Sequence, residues 1–135
     1  MKARETKVAK KFIYGVLGFP VIFRTVEVKE VMGEWVPNVN HRKFQDDAFL
    51  AVLGAGLKFT EAHLSFVRHF MGLKQEDLGQ RLGLSGHSMV SKWGKKKAAA
   101  TGMSGAIEAG VRILMHEYLK KIRHLDQGRD LSVGG

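Results

Sequence analysis

The side chains best suited to chemistry fall in one part of the chain: Gln75, then His87, Ser88, Ser91 and Lys92, then Lys95, Lys96 and Lys97. They are hydrogen-bond donors and cations, and what they do well is recognise phosphate oxygens and base edges. Between Gly86 and Ser104 the only charged residues are Lys92, Lys95, Lys96 and Lys97, so this segment is purely cationic. The whole chain of 135 residues carries a formal charge of +9, which favours an acidic partner, nucleic acid being the commonest.

Bond-making chemistry has little to work with. There is no cysteine, which rules out disulfides, thiolate zinc sites and a cysteine nucleophile. The 6 histidines are scattered, and His63 and His69 fall on different faces of one predicted helix, so no metal pair is implied. No Ser-His-Asp arrangement, phosphate loop or paired carboxylates emerge, and Glu76-Asp77 reads as first-turn charge on a helix. The chain is therefore read as a non-enzyme without metal or cofactor.

Two short helices would position the polar residues. Gln75 to Leu82 places Leu78 and Leu82 one turn apart on one face, with Gln75, Glu76 and Asp77 in the first turn. Gly79 permits close approach of a second helix, and Gly83 suits a left-handed turn at the helix end. A second helix from Gly86 or His87 to Trp93 would turn Val90 and Trp93 inward and His87, Ser88, Ser91 and Lys92 outward. This stretch resembles the Cro/repressor-type (XRE) helix-turn-helix, through Gln75, Gly79, Gly83 and Val90-Ser91-Lys92-Trp93. It departs from that pattern by one extra residue in the turn, which keeps Lys92 out of the buried set. It departs again at Gly94, where a Glu would pair with an Arg of the preceding helix; Arg68 is the matching Arg.

Upstream, residues 1–11 read as a basic flexible tail. The apolar run that follows is interrupted by Gly15, Gly18 and Pro20 and ended by Arg24 without a cleavage-site pattern, which argues for a cytoplasmic protein with no membrane segment. Residues 12–58 read as a small module: a strand over Pro20 to Val31, a turn at Met32-Gly33-Glu34, a returning edge strand to Val39, and a helix from His41 to Leu57. In that helix Phe44, Ala48, Phe49, Val52, Leu53 and Leu57 form the inner stripe, with Asp46 and Asp47 outside. Residues 59–124 read as the helix-turn-helix domain. Thr60 caps a helix over Glu61 to Met71, and Ser104 caps a last helix with Ile107, Gly110, Val111, Leu114, Met115, Tyr118 and Leu119 on one stripe. Residues 125–135 read as a second flexible tail. The expected fold is thus α+β: a β-hairpin module plus helix, then an all-α, lambda-repressor-like domain of about five helices.

From Tyr14 to Leu119 the chain resembles the MqsA-like (YgiT-type) antitoxin and regulator family. The matching phrases are Y-x-x-x-G-F-P-V from Tyr14, V-E-V from Val26, G-E-x-x-P from Gly33, T-E-x-x-L-x-F-V-R from Thr60, L-x-Q-x-D-L from Leu73 and V-S-K-W from Val90. The resemblance implies a dimeric binder of double-stranded operator DNA whose N-terminal module can engage a partner toxin. The family's C-x-x-C ahead of the G-E is replaced by apolar positions around Val31 and Met32, so its zinc is not implied here. The expected function is transcriptional regulation, repressor-like, with neutralisation of a toxin as the alternative. Ile107, Val111, Leu114, Met115 and Tyr118 are the expected homodimer contacts, with a role in the core of the domain as the other reading of the same stripe.

Overall fold

In the computed structural model, which describes residues 6–56, 58–83, 105–122 and 131–134, the chain is organised around one long strand, β2 (Val21–Val31). Val21, Phe23, Val26 and Val28 of β2 are buried, while Arg24 and Thr25 are both exposed. The inward parity therefore changes once, at Arg24-Thr25. Opposite that step, on β1 (Thr6–Tyr14), Lys11 adopts φ 53°. The register keeps one offset from Thr6 opposite Lys29 to Tyr14 opposite Val21, with the ladder skipping Lys11.

β3 (Glu34–Pro37) returns antiparallel along the end of β2, pairing Val28 with Pro37 and Val31 with Glu34. Met32 (φ 52°) and Gly33 (φ 84°) make the turn. Two left-handed residues in succession give a turn whose twist matches the strands it joins. β4 (Leu131–Val133) pairs with the other end of β2, Val21 opposite Val133. The sheet has four antiparallel strands, with β1 along one side of β2 and β3 and β4 on the other.

Four helices are seen among the described residues: α1 (His41–Gly54), α2 (Glu61–Phe70), α3 (Gln75–Arg81) and α4 (Gly105–Ile122). Asn40 caps α1 by accepting the Lys43 amide at 3.0 Å. Thr60 caps α2, its hydroxyl accepting the His63 amide at 3.3 Å. Phe44 of α1 stacks against Phe23 and meets Tyr14, each with ring centroids 5.7 Å apart, joining helix to sheet. Phe49 of α1 stacks on Phe70 of α2 at 4.2 Å, and both rings meet Tyr118 of α4 edge-on. One apolar cluster runs from Phe19 and Val21 through these rings to Val111, Met115 and Val133.

Four expectations are corrected. The expected all-α domain of about five helices is not what forms: residues 59–124 supply three of the four described helices, and they share a core with a four-stranded sheet. The basic tail over residues 1–11 is, from Thr6, strand β1, and part of the C-terminal tail is β4. Asp47, expected outside, is fully buried, with Lys43 one turn earlier placing its ammonium 3.4 Å from the carboxylate. Leu57, Ser104 and the whole second helix of the helix-turn-helix reading lie outside the described residues.

Candidate nucleic-acid interface

Of the residues read as DNA-binding, Gln75 is described; His87, Ser88, Ser91, Lys92, Lys95, Lys96 and Lys97 lie outside the described residues. Gln75 is half-buried at the first position of α3, between exposed Lys74 and Glu76. Gly72 (φ 70°) ends α2, and Leu73 and Lys74 lead into α3. Arg68 clamps this turn from both ends. Its carbonyl accepts the Leu73 amide at 3.0 Å, and its guanidinium Nη1 donates to the Leu73 carbonyl, also at 3.0 Å. Arg68 thus ties the last turn of α2 to the residue that leads into α3. At the start of α3, Asp77 Oδ2 accepts the Lys74 amide at 3.0 Å, satisfying a donor the helix leaves open.

α3 is anchored by Leu78, which is fully buried, and by buried Gly79. Its end is set by Gly83 at φ 76°, and Leu82 rests against α4, where a Cβ on Gly110 would sit 3.2 Å from Leu82 Cδ2. A side chain at Gly110 would require the end of Leu82 to give way by a few tenths of an ångström. The lysine-bearing segment, Gly86 to Ser104, begins three residues after Gly83 in the sequence.

α4 closes the module from behind. Glu108, 7 % exposed, accepts the Phe59 amide at 2.7 Å. Arg112, one turn on, lies over the Phe59 ring at 4.5 Å. Val111 and Met115 are fully buried in the monomer's own core, the other of the two roles read for this stripe. Ile107, Leu114 and Tyr118 are half-buried against the same core, and the large exposed apolar residue of α4 is Ile113, at 58 %. Between the α2–α3 turn and the end of α4 is an open cavity of about 130 Å³, floored by Met71, Leu73, Leu114 and Tyr118 and edged by Arg81, Glu117 and Lys121.

Two further polar groups escaped the sequence reading. Glu108 stands on the α4 stripe one turn before Val111, so its position predicts burial, but its partner on the far side of the chain has no local signal. His63 was read for metal spacing; it is instead 1 % exposed, its Nδ1 accepting the Thr60 amide at 3.1 Å and its Nε2 donating to the Gly134 carbonyl at 2.8 Å. Among the described residues no group of three or more His, Asp or Glu side chains could hold a metal ion, and no helix is long and apolar enough to cross a membrane. No protein-family profile matches the chain, and no significant match was found to a curated protein or to a solved structure.

Proposed function

We propose that this chain is a cytoplasmic, sequence-specific transcriptional regulator, repressor-like and related to the MqsA-like antitoxins, acting as a dimer on double-stranded operator DNA. The observation that carries the reading is the α2–turn–α3 pair: two helices joined by a short turn that Arg68 clamps, the second ended at Gly83 and followed in sequence by a segment with four lysines and no acid. In this reading the next helix enters the major groove with His87, Ser88, Ser91 and Lys92 towards the bases. Gln75 and Lys95 to Lys97 bind phosphates and set register. Ile107, Leu114 and Tyr118, with exposed Ile113, are the α4 residues still available to a second protomer.

A randomised duplex pool offered to the purified protein at two salt concentrations tests this. Retained sequences should converge on a two-fold symmetric site with half-sites about one DNA turn apart. Uniform retention that disappears at the higher salt would leave only phosphate attraction and would overturn the reading.

A second reading, an antitoxin-type protein that neutralises a partner toxin, is favoured by one feature of the sheet. Among the described residues β1 pairs on one side alone, and it exposes Val8 (67 %) and Ile13 (65 %). Exposed Lys7, Lys10 and Lys11 discourage two copies from pairing through this edge and leave it open to a different protein. A neighbouring reading frame resembling an RNase toxin would support this reading, and a lone gene would count against it.

A further inference from the structure

We propose that His63 is a pH-sensitive latch that holds the C-terminal strand β4 against the start of α2 and releases it on acidification. The case rests on which atoms face the ring. A backbone amide can only donate and a carbonyl can only accept. Thr60 N–H therefore fixes Nδ1 as an acceptor, and the Gly134 carbonyl fixes Nε2 as a donor, at 3.1 and 2.8 Å. Both ring nitrogens are used only in the neutral Nε2–H tautomer. A second proton would place an N–H at Nδ1 directly against the Thr60 N–H, and would put a charge where the ring is 1 % exposed.

Among the described residues, the neighbours offer that charge little relief. Phe19 packs on the imidazole at 4.6 Å and Phe59 lies 6.4 Å away, both apolar rings. β4 contributes Leu131, Ser132 and Val133, none titratable, and the β1–β2 connection from Gly15 to Pro20 has no titratable side chain. On α2 itself the nearest acid is Glu61. From α4, Glu108 and Arg112 face this corner with opposite charges, and both engage Phe59. Burial away from water holds the imidazole below the ordinary histidine value, more than the Gly134 hydrogen bond raises it.

β4 is the shortest of the described strands, three residues long, held by its ladder with β2 and by Val133 packed in the core beside α1. Its polar ties beyond the ladder are the His63 bond and the Gly134 amide donating to the Pro20 carbonyl at 2.9 Å. The latched state binds fewer protons at residue 63 than the released state. Latching is therefore at full strength above the ordinary histidine range and weakens as pH falls through it. The inference does not depend on the chain's binding DNA.

Amide hydrogen exchange on the full chain, expressed as protection factors at pH 7.5 and 5.0, reads the latch at Gly134. Its protection should fall by up to about tenfold per pH unit below the ordinary imidazole value. Protected amides in the β2–β3 ladder should hold steady, and in His63→Gln, neutral throughout, Gly134 should lose its pH dependence. The latch is overturned if Gly134 is equally protected at both pH values, if the ladder amides lose protection in parallel, or if His63→Gln responds to acid as the wild type does. The wild-type comparison stands alone should the variant fail to fold.

Discussion

Replacing Glu108 probes the joint between α4 and the start of α2. Its carboxylate accepts the Phe59 amide at 2.7 Å with 7 % of the residue exposed, so water is poorly placed to take over that amide. Glu108→Ala removes the acceptor and leaves a buried N–H unpaired, a loss of about 2 kcal/mol. Glu108→Gln keeps an acceptor of similar shape and gives up only the extra strength of a charged one, a loss of about 1 kcal/mol. With a urea slope of about 2 kcal/mol/M, the Ala variant should unfold at a midpoint lower by about 1 M, and the Gln variant by about half that. Equal losses in the two variants would refute the reasoning, because the effect would then come from side-chain packing and not from the acceptor.

Leu78→Ala should cost about 3 kcal/mol by the same assay, since Leu78 is fully buried and is the main apolar anchor of α3; a loss below about 1 kcal/mol would mean that α3 is not seated as described. Lys92→Ala should narrow the discrimination between operator and random DNA, whereas Lys96→Ala should weaken both similarly, as measured by fluorescence anisotropy on the two duplexes. Equal effects from the two lysines would end the proposed division between base and phosphate contacts.

How far the sequence reveals this architecture varies with how local each signal is. The β2–β3 hairpin is legible because Met32-Gly33 sits between two β-rich runs, and α2 because Thr60 stands where its hydroxyl can cap. α4 is legible because its apolar residues recur at helical spacing over several turns. β1 is hidden by its position: an edge strand with one face in solvent carries Lys7, Lys10 and Lys11, and that composition is the same as a solvated tail's. β4 is three residues beside glycines, and only its pairing with Val21 to Phe23 makes it a strand. Asp47 is misread because a carboxylate on an apolar stripe implies a partner, and Lys43 is found one turn away on the same helix.

The candidate site residues divide in the same way. The Gln75, Gly79, Gly83 frame and the lysine segment are read from residue type and spacing. The polar joints that fix α2, among them Arg68 on the Leu73 carbonyl, Glu108 on the Phe59 amide and His63 between Thr60 and Gly134, join a side chain to a backbone group. Backbone groups carry no sequence signature, so such joints become visible only in three dimensions. Val111 and Met115 show the converse: an apolar stripe cannot tell a shared interface from a monomer's own core, and burial assigns both to the core.

The most direct test of the DNA-binding account is the ratio of two dissociation constants, for the best selected duplex and for a scrambled duplex of equal length and composition, measured at about 0.15 M salt. A sequence-specific regulator should bind its site at least about a thousandfold more tightly. A ratio near one, with both affinities falling steeply and in parallel as salt rises, would mean that the lysines attract nucleic acid without reading it, and would contradict the account.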